Sequence, residues 1–365
     1  MISRIKFKTL VSLGILPLGI LIFRASASAP DLIDSFYSGG LYPVMASLIS
    51  RSTGLLPFSF AEILIYVLVI FIFYKTLRTI MNIAGERTDA MFIIKQSITG
   101  LFFYAGIIYF LFVILWGLNY HRTVLEKVKG FNTENIRPKE LIGCFREISQ
   151  RANRLSSKVA RDENGVFRVS DRNAVTKFIE KEYDRDITGV THARGAFGRA
   201  KPYALSFFLS SMGINGFYFP LTAEANYNQE IPDVSFPFVV AHEMAHQRGF
   251  ARENEANFIG YTVCMNSSEP ELQYSASVSA ILYLLSNIRK NIPDKYKSLT
   301  KFLNKNVITD IRDRNKFWVF HRGLVRKAFR KWNDIFLKAN MQNDGRKSYG
   351  RFVDLLIAAK RKNIN

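Results

Sequence analysis

The sequence predicts an α-rich α+β fold in which N-terminal transmembrane helices precede a helical body holding one small sheet. Three observations predict it. Long apolar runs crowd the first third of the 365 residues. Helical periodicity governs most of the remaining two thirds. One stretch, residues 192 to 228, breaks that periodicity with Gly, Pro and aromatic residues.

Composition narrows the partners. The chain is 48% hydrophobic and carries 31 Phe, an excess that is not evenly spread and points to membrane. Its net charge of +20 suits an anionic lipid surface or plain solubility. No nucleic-acid motif accompanies the charge, so the lipid bilayer is expected as a partner and nucleic acid is not. Cys144 and Cys264 lack metal-pair spacing. They are read as two buried thiols, because Cys264 falls on an apolar helical pattern.

Residues 1–118 read as the membrane region, with spans at about 7–23, 55–75 and 97–118. The second and third are long enough for a hydrocarbon core of about 30 Å at about 1.5 Å per residue. The first is short and "ASASA" follows it, so a cleaved signal peptide is the alternative; Arg24 favours an anchor. Arg4, Lys6 and Lys8 precede span one, and Lys75, Arg78, Arg87 and Lys95 lie between spans two and three. Both groups belong in the cytoplasm by the positive-inside rule, and 24–54 outside it. Everything from about residue 119 is then extracytoplasmic, on an integral, multi-pass protein of the cell membrane.

Residues 119–365 read as one body. "RPKELIGCFREISQRANRLSSKVA" places Leu141, Cys144, Phe145, Ile148, Ala152 and Leu155 on one helical face. "ENGVF" marks a turn and "NAVTKFIEKEYDRD" a second helix. The sheet falls in 192–228. "SFPFVVAHEMAHQRG" is a helix with Pro237 in its first turn and Gly249 at its end. Two or three helices fill 253–290, and a basic, mostly helical tail comes after them. Within it Phe317, Phe320, Leu324, Ala328 and Trp332 form a helical stripe. Core packing is its default role, membrane-surface contact the second.

His242-Glu243-Met244-Ala245-His246 fits H-E-x-x-H. Histidines at i and i+4 share one helix face about 6 Å apart and can meet one zinc ion. Glu243 stands beside them as general base for a water whose pKa zinc lowers toward ~7. "HEMAHQRGFAR" nearly continues as a three-histidine site, but Arg252 stands where the third His would be. A guanidinium has no free lone pair, so Arg252 is excluded. Glu253 and Glu255 remain.

"ENEAN", 253 to 257, resembles the E-x-x-[AS]-[DN] element of gluzincin metallopeptidases, both thermolysin-like and CAAX-protease-like. The resemblance implies a zincin-like domain, Glu253 as third ligand and Asn257 as the group holding a ligand histidine. Helix geometry agrees, since Glu253 and Asn257 share a face and Glu255 does not. The spacer from His246 to Glu253 is shorter than in those families, and Gly249 is placed to let the chain turn. "WGLNYHR", "FYFPLTAEAN", "HEMAHQRGFARENEANF" and "NDIFLKAN…DGRKSYG", with the three apolar segments, resemble a family of bacterial membrane proteins known as domain of unknown function 3810. That likeness brings no substrate.

In zincins the strand before the active helix borders the cleft, so Glu224, Asn226 and Tyr227 are candidate cleft residues. Tyr349 and His321 are candidate transition-state donors, although packing is the commoner role for each. The expectation is a membrane-anchored zinc metallopeptidase, holding one Zn2+ and acting on a protein or peptide. The alternative is a zincin-like binding or scaffold protein of the cell envelope that does not hydrolyse. An intramembrane protease is disfavoured, since the motif lies far along the chain from the last span.

Overall fold

The computed structural model describes residues 2–85, 90–185, 195–342, 345 and 350–364, with side chains from 14 to 362 within those ranges. The first helices are α1 (Ile2–Ser26), α4 (Phe60–Gly85) and α5 (Ala90–Leu115). Between α1 and α4 lie α2 (Pro30–Leu32), a π-helical stretch Ile33–Leu41, and α3 (Tyr42–Gly54). Helices α4 and α5 are both long and apolar enough to cross a membrane. Gly14–Ser26 and Pro30–Gly54 pass the same test only together, as a pair bent by 102°.

The spans expected from hydropathy are shifted. Expected 7–23 is helical over 2–26, 55–75 becomes 60–85, and 97–118 becomes 90–115. An apolar window ends at the first charge, whereas helical hydrogen bonding runs on through Lys75 and Arg78 on α4 and Lys95 on α5, whose stems are apolar. Pro57 and Ser59 precede α4 rather than joining it. Residues 24–54, read as an outer connection, are mostly helical.

The three long helices lie side by side. Leu16 meets α5 at Gly106, where a Cβ would stand 3.2 Å from it, and Gly19 meets Tyr109 at the same distance. Small residues permit such close crossings. These pairings make α1 and α5 parallel. Phe71 packs on Tyr104 and Thr79 bonds Ser97 at 3.0 Å, which makes α4 antiparallel to α5. Ser26, Phe60 and Leu115 therefore end on the side that carries the rest of the chain.

There a 3-10 turn, Gly117–His121, leads to α6 (Leu125–Lys129), α7 (Pro138–Leu155) and α8 (Arg172–Asp184). The expected apolar face of α7 is buried throughout. The sheet has three strands, β1 (Lys201–Tyr203), β2 (Gly216–Phe219) and β3 (Glu224–Asn228), with α9 (Ser206–Met212) between the first two. Its order is β1-β3-β2, with β1 parallel and β2 antiparallel to the central β3. Every residue of β3 is buried, while β2 forms an edge.

Then come α10 (Phe236–Gln247), α11 (Glu253–Asn266), α12 (Pro270–Asn291), α13 (Pro293–Thr300), α14 (Lys305–Phe320), α15 (Leu324–Ala339) and α16 (Phe352–Ile364). One apolar core joins α7, α8, α10, α11, α12 and α16 to the sheet. A second packs Ile33, Tyr37, Tyr42 and Ala46 against Val113, Trp116, Tyr120 and Ala251. Residues 30–54 thus pack with the body above the spans. Cys144 and Cys264 are buried, free thiols.

Candidate metal centre

Helix α10 carries His242 and His246 one turn apart, and α11 opens with Glu253. The link between the two helices is short because Gly249 takes φ +85°, the left-handed region that glycine tolerates. Backbone contact fixes their approach: a Cβ on Gly260 of α11 would lie 2.9 Å from the His242 nitrogen.

Three donor atoms converge. His242 Nε2 and His246 Nε2 are 3.1 Å apart, and Glu253 Oε2 lies 3.4 Å from the first and 3.7 Å from the second. Bonds of about 2.0–2.1 Å in a tetrahedral site space neighbouring donors by about 3.3 Å, so the cluster fits a small divalent ion. His246 Nδ1 bonds the Phe250 carbonyl at 2.7 Å. That bond requires the proton on Nδ1 and turns the Nε2 lone pair toward the cluster.

Burial opposes charge on His246, yet the hydrogen bond and charge of Glu253 raise its pKa to about 9. Burial alone would raise Glu253, but hydrogen bonds from His242 and His246 hold it well below the usual carboxylate range. His242 is lowered by burial, against the pull of Glu253. A proton and a metal ion compete for these lone pairs, so acid weakens any metal site here.

Glu243 is buried, and burial pushes it up to about 8, with His246 opposing and Glu253 adding. Its position is set by Gly216 on β2, where a Cβ would stand 2.7 Å from Glu243 Cγ. Glu243 Oε2 has no hydrogen-bond partner among the described residues. A buried carboxylate oxygen with no protein partner is what a water-activating base requires.

The two glutamates left open by the sequence are separated here. Glu255 points away from the cluster and is fully engaged. It pairs with Arg122 at 3.2 Å and Arg252 at 3.2 Å, and accepts from the Leu125 nitrogen at 2.9 Å. Arg252 also donates to the carbonyls of Tyr120 and Arg122 at 2.8 Å. Arg252 and Glu255 therefore fasten the segment that leaves α5. Asn257 is buried beside His242 and accepts a hydrogen bond from Tyr283 at 3.4 Å. His242 Nδ1 and Asn257 Nδ2 are both buried with no other hydrogen-bond partner among the described residues, and the nearby Asn257 amide helps raise His242 against burial.

A cleft of about 880 Å³ opens over the cluster, which lines it together with Glu243, Asn257 and all of β2. Its other walls include Ile65 of α4, Phe112 of α5, Trp116, and Phe329, Trp332 and Phe336 of α15.

The expected cleft residues Glu224, Asn226 and Tyr227 do not reach this cleft. They sit on β3, the central strand, which both its neighbours cover. Glu224 accepts from the Phe60 and Ala61 nitrogens at 3.1 and 2.6 Å and pairs with Lys201 at 2.6 Å, so it caps α4. Asn226 accepts from Ser59 at 2.6 Å, and Tyr227 packs on Phe236 in the core. The edge strand β2 borders the cleft instead. His321 bonds the Phe317 carbonyl at 3.0 Å and does not line the cleft. Tyr349 lies outside the described residues.

Sequence reasoning gave no role to Trp116, which donates to the His246 carbonyl at 3.3 Å, or to Tyr42, which donates to the Gln247 carbonyl at 2.9 Å. Tyr120, buried next to Glu253, was likewise passed over, although "WGLNYHR" holds it and Trp116.

These features define a class: a helix-rich protein with a small mixed sheet, two or three helices able to cross a membrane, and a largely buried His-His-Glu cluster beyond their ends, in which His246 is buried and His242 and Glu253 are half-buried. The chain belongs to the family described as Protein of unknown function (DUF3810), which it matches over residues 37–357. No curated protein and no solved structure was found to match it.

Proposed function

We propose that the protein is a membrane-anchored zinc metallopeptidase whose zinc ligands are His242, His246 and Glu253. One observation carries the reading: three donor atoms within 4.8 Å of one another, beside a buried carboxylate on the same helix as two of them. The spacing and the direction of the His246 lone pair favour zinc over a chance pair of histidines.

Zinc bound there supplies Lewis acidity to an attacking water and to the scissile carbonyl. The chain's own residues do the rest. Glu243 accepts the water's proton at Oε2 and passes it to the leaving amine. Gly216 brings the β2 backbone against Glu243 and keeps that carboxylate from swinging away. The outer edge of β2 pairs with no strand among the described residues, and an extended peptide added there would lay a peptide bond across the cluster. Trp116 and Tyr42 hold the carbonyls at the end of α10, so His246 keeps its place.

The arrangement of the spans supports a catalytic body outside the cytoplasm. Basic residues 4 to 8, 75 to 78 and 95 all lie toward the ends of the helices remote from the site.

Glu243→Gln tests the reading. Comparative proteomics of extracytoplasmic fragments should show products of the wild type that vanish in the variant, with zinc content unchanged. Loss of a general base costs roughly 10²–10⁴-fold. Identical fragment profiles would sink the peptidase and favour a binding or scaffold role for the same domain.

A further inference from the structure

We propose that α15, with α9 beside it, rests in the headgroup layer of the bilayer leaflet where α1, α4 and α5 end, so that the cleft takes polypeptide presented at the membrane surface. The lipid contact stands on its own observations. The substrate clause rests on the metallopeptidase reading.

Helix α15 has three faces at about 100° per residue. Phe329, Trp332, Asn333 and Phe336 line the cleft. Lys327, Arg330, Lys331 and Lys338 form a basic, exposed arc. Between them an apolar arc of Leu324, Val325, Ala328 and Ile335 stands exposed, with Leu324 82% and Ile335 66% accessible, and the exposed Trp332 stands where this arc meets the cleft. The stripe expected to be core is therefore uncovered along α15, and Phe320 before it is 80% exposed. A bare apolar face flanked by Lys and Arg and carrying a Trp is the pattern of a helix lying in a membrane interface.

Its depth relative to the spans is fixed by contacts. Phe336 packs on Phe112, one turn before the end of α5. Helix α9 packs on α15 and exposes Phe207 and Phe208. The nitrogens of Ala204 and Leu205, just ahead of α9, bond Glu62 in the first turn of α4 at 2.8 and 2.9 Å. Both elements thus sit level with the points where the long helices emerge. The cleft reaches that level too, since Ile65 and Phe112 line it, about 5–8 Å inside the helix ends at 1.5 Å per residue. Anionic lipid is the occupant that suits both arcs at once.

The test uses full-length protein in phosphatidylcholine vesicles with roughly 30% phosphatidylglycerol. Leu324→Cys and Ile335→Cys are labelled with an environment-sensitive fluorophore, and Glu163→Cys in the exposed turn after α7 is the aqueous reference. The native thiols are buried, and burial pushes Cys144 up to about 12, so they do not compete for label. Expected are quenching of positions 324 and 335 by headgroup-depth nitroxide lipid and several-fold weaker quenching by aqueous iodide than at 163. Iodide access equal to that at 163 overturns the proposal. So does protection from iodide without nitroxide quenching, which would mean a protein partner.

A second arm compares one peptide free and tethered to lipid. The double variant Leu324→Glu, Ile335→Glu should slow cleavage of the tethered form several-fold and spare the free form. Equal effects on both overturn the substrate clause. If the wild type cuts neither, the peptidase reading and that clause fall together, while the quenching result judges the lipid contact.

Discussion

Removing Glu253 and removing Glu255 should break different things. Glu255→Ala deletes a carboxylate 2% exposed that pairs with Arg122, itself 3% exposed. Breaking such a buried pair costs about 3–5 kcal/mol, because the surviving charge stays desolvated. At roughly 2–4 °C per kcal/mol for a body of this size, the apparent melting temperature should fall by about 6–20 °C. The His-His-Glu cluster is untouched, so on the proposed reading folded Glu255→Ala should keep about one zinc per chain. Glu253→Ala removes one of three donors and leaves the segment after α5 fastened. Its zinc content should fall to near zero in plasma mass spectrometry of protein purified in detergent. Chelator should lower the melting temperature of the wild type and leave that of Glu253→Ala where it was, since only a bound ion stabilises by mass action. Stoichiometric zinc in Glu253→Ala, with loss of zinc in folded Glu255→Ala, would refute the assignment.

Gly216→Ala places a methyl group 2.6 Å from the Asn226 carbonyl oxygen and 2.7 Å from Glu243 Cγ, the latter about 1 Å inside normal carbon contact, so β2 and the Glu243 side chain must part. A shift of that size at the base should cost about 10²-fold in kcat with zinc retained, and full activity in folded variant would contradict the role given to β2. Glu224→Gln leaves the Lys201 ammonium buried without its anion, and destabilisation of about 3–5 kcal/mol is expected in thermal melts of the detergent-solubilised chain. Asp354 is raised by burial from 3.8 to about 6, with Arg351 opposing. The folded state therefore holds a proton that the unfolded state gives up, and this group's stability contribution is lost as pH rises from about 4 to 6. Asp354→Asn should be more stable than the wild type at pH 8 by about 1 kcal/mol after allowance for solvent screening, and equal to it near pH 4.

The His-His-Glu cluster was legible because its information is local. Two histidines four apart, a glutamate between them and an acidic residue just past a glycine all fall within one short stretch. Chemistry alone removed Arg252. Glu255 could not be removed that way, because its partners Arg122 and Leu125 lie some 130 positions earlier. The same distance hid the work of Glu224 and Asn226. Their strand was correctly expected to precede α10, but strand order decides which strand meets the cleft, and order depends on pairing across the chain. Helix α9 was hidden inside the expected sheet because its seven residues are too few for a periodic pattern to register. The exposed arc of α15 shows the limit of periodicity from the other side. A helical apolar stripe reveals that something covers it, and only the position of the helix reveals what.

Three side chains tie the long helices to the body. Glu224, on β3, caps the start of α4. Glu62, from the first turn of α4, accepts from the Ala204 and Leu205 nitrogens beyond β1. Trp116, just past α5, donates to the carbonyl of His246. One of these ties reaches the central strand, one the segment between β1 and α9, and one α10, so the elements around the cleft are fastened to helix ends. A buried carboxylate accepting backbone N–H groups is costly to break, because the charge left behind has no water to turn to. The cluster therefore stands at a fixed height above the ends of α4 and α5. If the site cuts peptide bonds, that height sets how far from the membrane it cuts.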